Sequence, residues 1–111
     1  MIKSFSDNDA TLLCQTISRS MDIPNVDDIV KSWLLYLNTN ASTLYLIFDD
    51  QNNIIVSVRI EESEHVYYGW LMCYKRFGES DRERIMHDFE KFFKTTSRYQ
   101  VSSKVIWWNR W

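Results

Sequence analysis

The residues of this chain with the means to do chemistry are two histidines, a cluster of glutamates and two cysteines. Glu61, Glu62 and Glu64 stand beside His65, a grouping able to hold a general base or to form a plain polar turn. Glu83 and His87 are four positions apart, the spacing at which helix side chains face one another. They read as two metal ligands, an acid–base pair or an exposed ion pair, and no third ligand accompanies them, so no metal is expected. Cys14 and Cys73 each sit in an apolar-periodic segment with no adjacent histidine or cation to activate a thiol. They are expected to be reduced thiols of a cytoplasmic chain, with a lone disulfide as the alternative. There is no Ser–His–Asp spacing, phosphate-cradling P-loop or Cys–His metal cluster.

The end of the chain, Trp107-Trp108-Asn109-Arg110-Trp111, raises a different prospect. On a strand, Trp107 and Trp108 point to opposite faces, so only one can enter a given core. Trp and Arg are enriched at interface hot spots, which makes Trp107, Trp108, Arg110 and Trp111 candidate partner-binding residues. The alternative is a tail folded back over the core. A last strand at a sheet edge would also offer backbone groups to a second copy of the chain.

Composition bounds these options. The 111 residues make one domain, 1–111, with 45% hydrophobic, 25% charged and 15% aromatic residues. That is too apolar for disorder, and 2 Gly and 1 Pro exclude a collagen-like or low-complexity chain. No apolar run approaches the ~20 residues that cross a bilayer, and residues 1–10 lack the apolar core of a secretory signal. The net charge of −2 is unevenly spread. Residues 1–66 hold four Lys/Arg against ten Asp/Glu, and residues 67–111 hold nine against five. Such a bipolar chain suits a charged protein partner. An isoelectric point near 5.6 argues against nucleic acid.

Positioning these residues falls to eight elements. Ile2-Lys3-Ser4-Phe5 alternates as a strand. Ser6 and Asp9 form a capping-box pattern before a helix over about 8–20 that carries Leu12, Leu13, Ile17 and Met21. Pro24 breaks it, and Asn25 caps a second helix striped by Val26, Ile29, Val30, Trp33, Leu34 and Leu37. Thr43–Asp49 and Ile54–Ile60 flank the turn cluster 50–53 as a β-hairpin, with Ile54, Val56, Val58 and Ile60 on one face. Glu61–Glu64 is an acidic turn. Val66–Tyr74 is apolar on both faces, as in a central strand, and its Gly69 predicts a bulge or a close backbone approach. Ser80-Asp81-Arg82-Glu83 reads as a capping box opening a third helix, with Ile85, Met86, Phe89, Phe92 and Phe93 on one face. Tyr99–Trp108 alternates as a last strand, placed parallel to its partner by the helical crossover. The expected fold is α/β (α+β), a mixed, mainly antiparallel sheet of 4–5 strands in the order β-α-α-β-β-β-α-β, covered by helices on both faces.

That order resembles the first two-thirds of the GNAT acetyltransferase family. The opening Met1–Asp9, the Leu44–Val58 hairpin and the Val66–Tyr74 strand are similar to that family's first four strands, and the likeness in topology covers residues 1–108. The resemblance implies acetyl-CoA held at the start of the third helix by a Gln/Arg-x-x-Gly-x-Gly/Ala loop, where a helix N-terminus accepts phosphate. Here Lys75, Gly78 and Ser80 match that pattern loosely, and Glu79 and Asp81 add negative charge. It also implies a glutamate near the fourth strand as general base, which points to Glu62 or Glu64. The family's later helix, last two strands and thiolate-protonating tyrosine have no counterpart in these residues.

Two functions follow as expectations. The first is a non-enzymatic inhibitor with no cofactor, of the toxin-immunity or phage anti-defence type, on a degraded acetyltransferase-like scaffold in the bacterial cytoplasm. Its acidic half would cover a basic toxin or defence enzyme, with Trp108 or Trp111 as anchor. The second is a minimal acetyl-CoA-dependent N-acyltransferase. A homodimer that completes the sheet is a further expectation.

Overall fold

The computed structural model describes residues 1–22, 27–39, 42–64, 66–96 and 105–109. Their order is β1 (Ile2–Ser4), one 3₁₀ turn (Asp7–Asp9), α1 (Ala10–Met21), α2 (Asp27–Thr39), β2 (Ser42–Phe48), β3 (Ile54–Ser63), β4 (Val66–Cys73), α3 (Glu79–Thr96) and β5 (Val105–Asn109). This is the expected order. The five strands form one sheet in sequence order, antiparallel from β1 to β4, with β5 parallel to β4.

The sheet is mixed because β2 and β3 are joined by a tight turn while β4 and β5 are joined through a helix. In that turn Asp49 Oδ1 accepts the backbone N–H groups of Gln51 and Asn53, both at 2.9 Å. Asn52 takes φ 62°, a left-handed conformation that asparagine tolerates.

β2 is buried at five consecutive positions, Leu44 to Phe48, so helices must cover both faces of the sheet. Tyr45 and Ile47 point to the α3 side, where Ile85, Met86, Phe89 and Phe93 meet them. The rings there pack edge to face: Tyr45 to Phe89 at 5.5 Å and Tyr67 to Phe93 at 5.3 Å. Leu44, Leu46 and Phe48 point the other way, onto Leu13 and Ile17 of α1 and Val30 of α2. Met21, expected on the buried stripe, is exposed at the end of α1, where Asp22 turns left-handed and ends the helix.

Three boundaries differ from expectation. The β2–β3 register passes from Ile47–Val56 to Phe48–Ile54, which leaves Ile55 as an extra residue. Ile54 therefore turns to the α1–α2 face, away from Val56, Val58 and Ile60. β3 runs on through Glu61 and Glu62, so the acidic turn shortens to the region of Glu64, which has φ 43°. α3 begins at Glu79, which makes Gly78 the capping position and places Ser80 within the first turn. The carbonyl of Gly78 accepts the N–H of Arg82 at 3.0 Å, the first bond of the helix. The Ser80–Glu83 capping box is thus displaced, while the Ser6–Asp9 pair forms as expected.

The expected Asn25 cap, Val26, His65 and residues 99–104 of the last strand lie outside the described residues, as do the side chains of Ile29, Trp33 and Leu37.

Candidate functional site

β4 leads from the centre of the sheet to the start of α3, and the candidate site lies along it. Gly69 pairs with Trp107 and Trp70 with Asn109, so Trp108 is an extra residue and the register breaks between Gly69 and Trp70. Beyond Trp70, no described residue of β5 pairs with β4. Leu71 to Cys73 keep β3 on one side and present their other backbone edge without a described strand.

The loop that follows is held at both ends. The N–H of Tyr74 donates to the carbonyl of Ile55 at 2.9 Å, and Phe77 packs against the α3 cluster. Lys75 Nζ lies 5.3 Å from the Phe77 ring centroid. Gly78 has nothing within 4 Å of the place a Cβ would take, so its backbone is open to an approaching molecule. The first N–H groups of α3 have no partner inside the helix, and this end carries its positive dipole. Those features fit a phosphate. Glu79 and Asp81 in the same turn oppose it, and Asp81 is partly offset by Arg84 at 3.2 Å, an exposed pair.

Two hollows flank Lys75 and Asp49. One, about 410 Å³, lies on the α3 side; Asp49, Asp50, Asp81 and Asp88 rim it against Lys75 and Arg84. The other, about 370 Å³, lies on the α1 side and includes Arg19 and Tyr74. Asp49 belongs to both, and its carboxyl sits below the ordinary range, chiefly because the N–H of Asn53 donates to it. The sequence reading did not single out Arg19 or Asp49, because nothing within a few residues of either signals the other or Lys75.

The remaining candidates are dispersed. Glu62 pairs across from Tyr67, three positions before the register break, ~10 Å along the strand. Glu64 lies in the turn beyond it, and both are exposed. The Lys75–Ser80 loop is at the opposite end of β4. Glu83 and His87 are exposed on α3 and form no ion pair with each other, and no group of three metal-binding side chains occurs among the described residues. Trp107, a candidate partner-facing residue, is half-buried and packs against the α3-side cluster, 6.0 Å from the Phe89 ring and directly over Gly69. Arg110, Trp111 and the side chain of Trp108 lie outside the described residues. Cys14 and Cys73 are free and pack on opposite faces of the sheet, which removes the disulfide alternative. No helix among the described residues is long and apolar enough to cross a membrane.

No family model matches the chain, and no curated protein matches it in sequence. Solved structures do. A GNAT family acetyltransferase of Staphylococcus aureus superposes with a TM-score of 0.63 at 19% identity, over 96% of this chain and 83% of that one. A probable acetyltransferase superposes at 0.64 with 12% identity, over 96% and 78%. A spermidine N-acetyltransferase chimera from Vibrio cholerae and hSSAT gives 0.58 at 13% identity. This chain spans 62% of the length of that protein, with 85% of its own residues aligned. At these identities the likeness is one of fold, and it agrees with the strand order, the parallel β4–β5 pair and the helix that joins them: the chain has a GNAT-like acetyltransferase fold.

Proposed function

We propose that the chain binds an acyl-CoA along β4 and passes its acyl group to an amine. The observation that carries this reading is the register break between Gly69 and Trp70. Past the break Trp70 pairs with Asn109, and no described residue of β5 lies beside Leu71–Cys73, the stretch that leads towards the start of α3. That edge would bind the cofactor's amide-bearing arm. The amides opening α3, with Lys75 and Ser80, would hold its phosphates. Bound there, acetyl-CoA supplies an activated acyl thioester. Glu62 or Glu64 would take the proton of the amine as its nitrogen bonds to the acyl carbon and the C–S bond breaks, and the CoA thiolate released would take up a proton from solvent. Calorimetry with acetyl-CoA is the test: saturable micromolar binding is expected, and no heat at millimolar ligand would overturn the reading.

A second reading rests on the acidic rim of Asp49, Asp50, Asp81 and Asp88. A non-enzymatic inhibitor would use it to cover a basic surface on a toxin or defence enzyme. The same calorimetry separates the two, since the inhibitor requires no cofactor. Self-association is a further proposal; one Vibrio cholerae spermidine N-acetyltransferase is dodecameric. Light scattering tests it, and a monomer at high concentration would exclude it.

A further inference from the structure

A base for amine acylation must stand on the face of the sheet from which the amine arrives, and the two faces differ at the register break. The α3 face is filled there. Tyr67 and Leu71 are buried in the α3-side cluster, and the Tyr67 ring meets Phe93 at 5.3 Å. Gly69, between them, lies directly under Trp107. The opposite face is filled elsewhere. The buried side chains described on α1 and α2 cluster with Leu44, Leu46, Phe48 and Ile54. Tyr68, Trp70 and Met72 of β4 stay half-buried. An acceptor amine therefore reaches Trp70 from the α1–α2 side.

Adjacent residues of a strand point to opposite faces, and residues directly across an antiparallel pair share one. Glu62 stands across from Tyr67 and so lies on the filled α3 face. Glu64 lies in the turn, further from the break. Glu61 stands across from Tyr68, two positions before Trp70, ~7 Å along the strand. It shares a face with Arg59 and Trp70, and it is half-buried where Glu62 and Glu64 are exposed. Arg59 stands directly across from Trp70, its guanidinium 4.1 Å from the ring centroid. A cation held beside the break disfavours the ammonium form of an incoming amine, which eases transfer of its proton to a carboxylate.

We propose that Glu61 is the general base, in the role that the resemblance gives to Glu62 or Glu64. This rests on the acyl-CoA reading, which sets the phosphates at the start of α3 and the thioester at the break. The Glu61 carboxylate takes one proton from the amine as the nitrogen bonds to the acyl carbon and the C–S bond breaks. The thiolate released takes up a proton from solvent, and Glu61 returns its own to solvent.

The test uses the whole chain. Calorimetry measures acetyl-CoA binding, and thiol release from acetyl-CoA is followed with butylamine as acceptor. Glu61→Gln should lower kcat by about a hundredfold or more, at least about tenfold beyond the loss in Glu62→Gln or Glu64→Gln. Its acetyl-CoA affinity should match that of the wild type, which also reports that the variant folds. Glu61→Asp should recover part of the rate. A loss in Glu61→Gln no greater than in the other two variants would overturn the assignment and leave the acyl-CoA reading standing. So would binding of acetyl-CoA with no thiol release above that of the free thioester. A fall in acetyl-CoA affinity that accounts for the fall in rate would make the role of Glu61 structural and overturn it as base. Failure of the wild-type chain to bind acetyl-CoA would remove the acyl-CoA reading and this base with it.

Discussion

Trp107 lies so close over Gly69 that a Cβ added to the glycine would sit 2.6 Å from two atoms of the indole. On the α3 side the ring packs edge to face with Phe89, 6.0 Å between centroids. Gly69→Ala therefore forces the ring or the strand to shift, at a cost of about 1–3 kcal/mol. Urea denaturation followed by tryptophan fluorescence measures it. Trp107→Leu in the same chain should make the alanine nearly neutral, and an equal loss in both backgrounds would show that the contact is not the cause.

The Ser57–Tyr74 hydrogen bond crosses from β3 to the end of β4 at 2.7 Å, and Ser57 is 3% exposed. Tyr74→Phe leaves that hydroxyl buried without its partner and should cost about 1–3 kcal/mol. The double variant with Ser57→Ala should lose less. Burial pushes the Tyr74 hydroxyl up to about 12 against the opposing effect of the Ser57 bond. The folded chain therefore holds this proton more tightly than the unfolded one. Stability is complete below pH 10 and falls between 10 and about 12. Burial also raises Tyr45, so absorbance titration of tyrosinate should show late-ionising phenols accompanying alkaline unfolding, and Tyr74→Phe should remove one of them.

Acid acts through Asp9. Burial alone would raise its carboxyl, but Lys3 at 2.7 Å and the backbone and hydroxyl of Ser6 at 3.0 and 2.9 Å outweigh it. The net shift is downward. A lowered folded value means stability present above the ordinary carboxylate range and lost as pH falls through the folded value. Asp9→Asn should lower stability at neutral pH by about 1–3 kcal/mol and flatten the acid limb of a melting-temperature profile. An acid limb of unchanged slope would count against Asp9 as its source.

Both thiols are held unreactive. Burial, then Asp27, pushes Cys14 up to about 11. Burial raises Cys73 against the opposing charge of Arg82. Since the thiolate is the nucleophile, iodoacetamide at neutral pH should label both far more slowly in the native chain than in denaturant. Mass spectrometry reads the adducts, and native labelling of either cysteine at its unfolded rate would contradict the placement.

How much of this was written in the sequence depends on the distance over which each signal acts. The α3 face of Ile85, Met86, Phe89 and Phe93 was legible because helical periodicity is a local property, and these residues are buried as expected. The Ser6–Asp9 pair was legible for the same reason, over three residues. Gly69 was legible as an anomaly, since a glycine inside an apolar strand needs a neighbour close to its backbone; which neighbour was not. The extra residue at Ile55 was invisible, because alternation along β3 carries no information about where β2 slips against it. The start of α3 at Glu79 lies two residues before the one a Ser80 cap predicts, since Gly78 competes for the cap with a serine of better local propensity.

The sequence by itself thus determined the elements, their order and the apolar face of the third helix. The candidate sites were decided by tertiary structure alone. Arg19, Asp49 and Lys75 come from three segments that share no local pattern; the pairing of β2 with β3 and β3 with β4, with α1 packed on one face, brings them to one end of the sheet. Side-chain periodicity specifies which face a residue occupies, whereas register between strands specifies which distant residue it will meet.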